Sequence, residues 1–291
     1  MDGRSYRQRK LTNLLQTAVL VGGMAALLGA LGWLLAGPEG LVWISVAGVM
    51  ALVLTPQLPP GVLLRLQGAR PLPPGAAPRL HAILTELAAR ARLDRVPALH
   101  YLPSPGVNAF TVGSREEAAI IVSDGLLRTL DVRQLAGVLA HETSHVANND
   151  MRVMMLADTV GRLTGVLSLA GQLLLLVSLP IMLLGGSGVP LLSAVLMVAA
   201  PSLSALLQLA LSRTREYDAD LEAARLTGDP EGLASALVQL ERRGLTLFER
   251  ILRPPRTPPA NVLLQTHPPI HERIQRLLAL TPRDRDPLPH S

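Results

Sequence analysis

The chain contains no cysteine among its 291 residues. That excludes a disulfide framework and a metal site built on thiolates, and it leaves the redox compartment unread. Aromatic residues make up only 2% of the chain, too few for a surface that stacks bases, so the net charge of +5 does not indicate a nucleic-acid partner. Charge itself is missing from two long stretches. None occurs from Leu11 to Pro38, and none between Arg162 and Arg213.

Apolar residues fill these gaps. They form 49% of the chain, and the mean hydropathy of +0.34 is high for a soluble protein, which indicates a membrane protein in contact with a lipid bilayer. The run from Leu11 to Pro38 is long enough to cross a bilayer as a helix, and a second run, Leu41 to Leu58, follows a short Gly37-Pro38-Glu39-Gly40 break. Two successive apolar runs exceed the h-region of a signal peptide and predict a membrane hairpin. The stretch after Arg162 is too long for one span and divides near Gly185-Gly186-Ser187-Gly188 and Pro190 into a second hairpin. Arg4, Arg7, Arg9 and Lys10, then Arg65, Arg70 and Arg79, then Arg152, Arg162, Arg213 and Arg215 all lie at the outer ends, whereas the turns carry only Glu39. By the positive-inside rule those ends and both termini are expected in the cytoplasm.

The chemistry centres on His141-Glu142-Thr143-Ser144-His145. Residues four apart share one face of a helix, so two imidazoles can reach one metal ion while Glu142 points at its open side. Asp131 with Gln134 three residues on reads as an N-terminal cap, and Leu135, Val138, Leu139 and Val146 supply an apolar face, so a helix is expected to run to about Asn148 and Asn149. Two imidazoles with a carboxylate suit zinc and leave a fourth position for water. After the second hairpin comes Arg215-Glu216-Tyr217-Asp218-Ala219-Asp220, again with two carboxylates one turn apart. Glu216 is the candidate third ligand, and Asp220 the candidate partner of a ligand ring N–H. Asp218 and Glu222 lie close enough to compete, and a solvated acidic helix face is the plain alternative.

Between the first hairpin and the motif, Pro71 to Pro78 reads as a stiff linker and Arg79 to Leu93 as an amphipathic helix. Ala98 to Leu102 reads as a strand, and Val107 to Val112 with Ala118 to Val122 as a hairpin. An edge strand there would either hold an extended peptide by main-chain hydrogen bonds or simply cover the motif helix. Towards the end, His267 precedes two prolines and opens a last helix with Ile274, Leu277 and Leu278 on one face. His81, His100 and His290 have no partner pattern and read as packing or surface residues.

With these pieces assembled, the chain resembles the HtpX family of bacterial membrane zinc peptidases, which are related to the CAAX prenyl proteases. The resemblance rests on Asn108-Ala109-Phe110, on HETSHVANND from His141 to Asp150, on Arg215 to Asp220 and on His267-Pro268. It implies a mainly α membrane protein with a small β-hairpin or sheet: a zincin-like (gluzincin) catalytic domain plus four transmembrane helices in two hairpins. It also implies one zinc ion per chain on His141, His145 and Glu216, with Glu142 as catalytic base and Asp220 behind a ligand. His267 and Arg273 would approach the substrate carbonyl, and Asn108, Ala109 and Phe110 would form the substrate-binding strand.

The expected organisation is a basic N-terminus (1–10), a first transmembrane hairpin (11–58) and a linker (59–78), followed by a first catalytic segment (79–162). A second hairpin (163–211), a second catalytic segment (212–282) and a disordered tail (283–291) complete the chain. The expected function is a zinc endopeptidase of the bacterial inner membrane. It would cleave membrane or misfolded proteins at the cytoplasmic face in quality control under stress. The alternative from a different class is a non-catalytic membrane scaffold with a structural zinc site, and the oligomeric state is not encoded in any pattern.

Overall fold

The computed structural model of the chain describes residues 3–54, 59–184, 190–244 and 269–280. The chain divides into two compact units, one drawn from Met1–Asn13, Leu58–Met151 and Arg215–Ser291, the other from Leu14–Gln57 and Arg152–Thr214. The tail expected at 283–291 lies outside the described residues, as does the loop around Arg253 to Pro259.

In the first unit, helix α2 (Pro60–Gln67) and strand β1 (Arg70–Pro71) occupy the stretch read as linker. Pro60 at the first helical turn and Gly68 in the left-handed conformation at its end explain why a proline-rich segment winds up there. Leu63 and Leu64 of α2 pack beside Val112 and Ile121. Helix α3 (Pro78–Arg90) follows, then β2 (Ala98–Leu102), β3 (Ala109–Val112) and β4 (Ala119–Ser123). The sheet has the order β1-β2-β4-β3, with β2 and β4 parallel and the other pairs antiparallel. Every residue of β4 is buried, as befits a central strand whose sequence, Ala-Ile-Ile-Val-Ser, is almost wholly apolar.

Helix α4 (Asp124–Thr129) leads into α5 (Val132–Ala147), which carries both motif histidines. Its start is fixed as the sequence predicts. The Gln134 N–H donates to Asp131 Oδ1 at 2.8 Å, and the Asp131 N–H donates back to Gln134 Oε1 at 3.1 Å. Helices α8 (Pro230–Gly244) and α9 (Ile270–Leu278) complete the unit. Leu84 and Leu87 of α3, Ile120 and Val122 of β4, Leu139 of α5, Leu233 of α8 and Leu277 of α9 meet in one core. Helices α5 and α8 cross at Gly137, where an added Cβ would stand 2.8 Å from the Leu233 Cα.

The second unit is helical. Among the described residues, three helical stretches, Tyr6–Ala51, Asp150–Ser178 and Leu191–Thr227, are long and apolar enough to cross a membrane. They belong to α1 (Gly3–Leu54), α6 (Asp150–Leu183) and α7 (Leu191–Thr227). Helix α1 is broken where Ala36 and Gly37 leave helical geometry. There the chain turns back, for Gly32 and Gly40 meet with bare backbone and a Cβ on Gly32 would lie 2.9 Å from the Gly40 carbonyl oxygen. Leu31, Met197 and Ala200 pack inside this unit, as do Met24, Ala157 and Leu211. The outward faces are apolar: Val177 is 70% exposed and Val19 72%. Such faces suit lipid, while the Gln208 amide bonded to the Ala157 carbonyl at 3.3 Å ties helices together from within.

Replacing Gly137 by Ala is expected to force α5 and α8 apart and to destabilise the first unit by about 1–3 kcal/mol. Thermal melting of the detergent-solubilised protein would reveal this as a lowered midpoint.

Candidate metal centre

His141 and His145 lie on the same face of α5, and Glu216 and Asp220 on the same face of α7. The ligand atoms of His141, His145 and Glu216 all fall within 4.8 Å of one another. The two Nε2 atoms stand 3.1 Å apart, with Glu216 Oε2 at 3.4 Å from His141 Nε2 and Glu216 Oε1 at 3.6 Å from His145 Nε2. Donors bound tetrahedrally to one ion at about 2.0–2.1 Å would stand roughly 3.3–3.4 Å apart, so the spacing fits a divalent metal ion.

Both Nε2 atoms turn inward because both Nδ1 atoms are held. Asp220 Oδ1 lies 3.0 Å from His141 Nδ1, and Asp150 Oδ2 lies 2.7 Å from His145 Nδ1. Each carboxylate accepts the Nδ1 proton and leaves the other nitrogen's lone pair for a cation. Those carboxylates are themselves fixed by buried guanidiniums. Arg273 donates to Asp220 through Nε at 2.8 Å and Nη2 at 2.7 Å, and its Nη1 lies 3.1 Å from Glu216 Oε2. Arg215 donates to Asp150 from Nε at 2.6 Å and also pairs with it through Nη2.

Charge points the same way. Among the described residues, buried Glu142, Asp150, Glu216 and Asp220 are accompanied by two buried arginines, Arg215 and Arg273, while buried Asp218 is paired with Lys10. The excess of two negative charges suits a dication. Burial by itself disfavours charge on the His141 ring, but the hydrogen bonds that the ring donates to Asp220 and Glu216 outweigh it and push the imidazole up to about 10. His145 is likewise raised, burial being outweighed chiefly by its bond to Asp150.

Glu142 is buried beside His141, and its Oε2 accepts a hydrogen bond of 2.8 Å from the Thr111 hydroxyl of β3. Of the carboxylates competing with Glu216, Asp218 faces Lys10 and Asn13, and Glu222 pairs with Arg225 and accepts from the Tyr6 hydroxyl. Asn108 pairs its backbone with Ser123, donating to Oγ at 2.9 Å and accepting from the N–H at 3.0 Å. Ala109 and Phe110 follow in β3, at one end of the strand order. His271 is exposed, and His267 lies outside the described residues.

In sequence, Arg215 has a part in membrane orientation and, with Asp150, a place in the family motifs, but no site role falls to Asp150, Arg215, Thr111 or Arg115. Asp150 begins α6 five residues after His145, just past Asn149, whose positive φ of 58° turns the chain. A carboxylate directly after a turn following the second histidine was the available signal. Arg115, between strands β3 and β4, donates to the Ala147 carbonyl at the end of α5 at 2.7 Å, which no local pattern announces.

A model of the family described as Peptidase family M48 matches residues 74–281. The chain belongs to peptidase family M48. It is a protease, and its apolar helices make it a membrane protein. Within M48 it falls among the HtpX proteases, being similar to proteins named Protease HtpX homolog. One from Kineococcus radiotolerans is 38% identical, with 92% of this chain and 97% of that protein aligned. Another from Acaryochloris marina is 37% identical over 92% of this chain and 94% of the relative. A third, from Methylibium petroleiphilum, is 31% identical over 93% and 99%. The span matched by the M48 model includes the histidines of α5, Glu216 and Asp220 of α7 and Arg273 of α9.

Protons and a metal ion compete for the same imidazole nitrogens in this M48 peptidase. Because both histidines are raised, metal affinity is expected to fall as pH drops from 8 to 6. Replacing Asp150 or Asp220 by Asn should weaken it by about 10- to 100-fold. Titration with cobalt(II), followed by its visible absorption, would measure both effects.

Proposed function

We propose that this M48 membrane protease is a zinc endopeptidase of the bacterial inner membrane that cleaves membrane or misfolded proteins at the cytoplasmic face. The observation that carries this reading is the convergence of His141, His145 and Glu216, with buried Glu142 next to His141. Three protein donors with no fourth His, Cys, Asp or Glu grouped with them among the described residues support an open, catalytic position.

Zinc held there supplies the Lewis acidity that polarises a scissile carbonyl and acidifies water. Glu142 takes the proton of the attacking water and delivers it to the leaving amine. The Thr111 hydroxyl, donating to Glu142 Oε2, orients that carboxylate. His141 and His145 hold their inward lone pairs in place through Asp220 and Asp150. Arg273, whose fork is filled by Asp220, steadies Glu216 and Asp220 instead of approaching the carbonyl directly. His267 keeps the role that the resemblance gives it, a donor towards the carbonyl oxygen. The segment Asn108 to Phe110 serves as the strand against which an extended substrate pairs. Its position in the outermost strand of the sheet supports this.

The reversal of α1 at Ala36 and Gly37 supports four spans in two hairpins, at 11–58 and 163–211. The basic residues at the outer ends support a cytoplasmic catalytic domain, assembled from 79–162 and 212–282, and cytoplasmic termini. Quality control of membrane proteins is the role such placement suits.

Detergent-purified protein is expected to degrade casein in a zinc-dependent manner. Glu142→Gln should retain zinc while its rate drops by about 10²- to 10⁴-fold. Stoichiometric zinc without cleavage by the unaltered protein would instead favour the scaffold reading.

A further inference from the structure

Lys10 is the only lysine in the chain, among 27 basic residues. Its neighbours Arg7 and Arg9 are exposed, as residues that merely set membrane orientation would be, but Lys10 is not. Its ammonium lies 2.7 Å from Asp218 Oδ2 and donates to Asn148 Oδ1 at 3.0 Å. Asn13, one turn further on, donates to Asp218 Oδ1 at 3.2 Å, and Asn148 donates to Asp218 Oδ2 at 3.2 Å. The side chain of Asp218 is wholly buried, whereas that of Lys10 retains 21% of its exposure. The first thirteen residues belong to the same compact unit as the metal centre.

Asp218 also lies 3.4 Å from Nη2 of Arg215, the guanidinium that holds Asp150, which in turn holds His145. A charge chain therefore runs from Lys10 through Asp218, Arg215 and Asp150 to the Nδ1 of His145. A buried carboxylate needs a cation. With Lys10 on Asp218, Arg215 is left to Asp150. Without Lys10, Asp218 competes for Arg215 and draws it off Asp150, which loosens the carboxylate that orients His145.

We propose that Lys10 is a positioning residue of the metal centre: the N-terminal segment, docked on Asp218, keeps Arg215 on Asp150 and so holds His145 aimed at the ion. This rests on the zinc reading of the site. It gives the basic N-terminus a second task besides orientation in the membrane, and makes displacement of that segment a means of weakening the enzyme. The amine is well suited to this. A compact ammonium can donate in three directions, here to one carboxylate and one amide oxygen, where a planar guanidinium would not fit the same corner as readily.

Zinc affinity of the detergent-purified full chain, measured by competition with a chromogenic chelator, tests this alongside casein kinetics. Lys10→Met should bind zinc about tenfold more weakly, the lower end of what losing a ligand's outer partner costs, and should lose kcat with little change in KM. Arg7→Met and Arg9→Met should match the unaltered protein. Asp218→Asn placed on Lys10→Met should recover most of the affinity, because a neutral residue no longer draws Arg215 away. A simple loss of N-terminal docking would not be repaired that way. Lys10→Gln serves if Lys10→Met does not fold, with the same expected loss. Wild-type zinc affinity in the Lys10 variants, or no recovery in the double variant, would overturn the proposal. An unaltered protein that binds no zinc would overturn the zinc reading itself, and this proposal with it.

Discussion

Buried negative charge is the constraint around which the first unit is arranged. Glu142, Asp150, Glu216, Asp218 and Asp220 are all withdrawn from water, a costly arrangement unless cations and hydrogen bonds meet each of them. Arg273 answers Asp220 and Glu216, Arg215 answers Asp150, and Lys10 answers Asp218. What these cations leave uncompensated lies between the inward nitrogens of His141 and His145, at the spacing that one divalent ion would bridge. Packing and electrostatics meet here: the residues that hold the ligands are the same ones that make their burial tolerable.

The helices bearing these groups are fixed by different means. Helix α5 is set at its start by the reciprocal cap of Asp131 and Gln134, at its end by Arg115 on the Ala147 carbonyl, and along its length by contact with α8 at Gly137. Helix α7 is apolar for most of its length and turns polar only near Arg213, so Glu216 and Asp220 stand on the final turns of a helix whose earlier part suits lipid. A protease built this way takes its third proposed ligand from an element that it also needs for the membrane. This is why that residue lies so far along the chain from His145.

Much of this was legible beforehand, and for a local reason. Helical periodicity places residues four apart on one face whatever the rest of the fold does, so the pairings of His141 with His145 and of Glu216 with Asp220 follow from spacing alone. The cap at Asp131, the strands at 98–102 and 109–112 and the turn at Gly37 likewise depend on a few neighbouring residues. The helix α2 did not emerge from a proline-rich stretch because its Leu63 and Leu64 pack against Val112 and Ile121, some fifty residues away, and the short strand β1 did not because it forms by pairing with Tyr101 and His100 of β2.

The sequence by itself determined the residue types of the candidate centre, their helical spacing, the length of the apolar runs and the family to which the chain belongs. Only the tertiary structure decided the partners: Asp150 for His145, Asp220 for His141, Arg273 for Asp220 across 53 positions, and Lys10 for Asp218 across 208. The physical reason is that a buried charge must be met by whichever opposite charge the packing of other elements brings within hydrogen-bond reach. No local period encodes that choice, so Asp218 and Glu222 stood as competitors of Glu216 until the N-terminal segment, Arg225 and the two histidines had each taken one of the three.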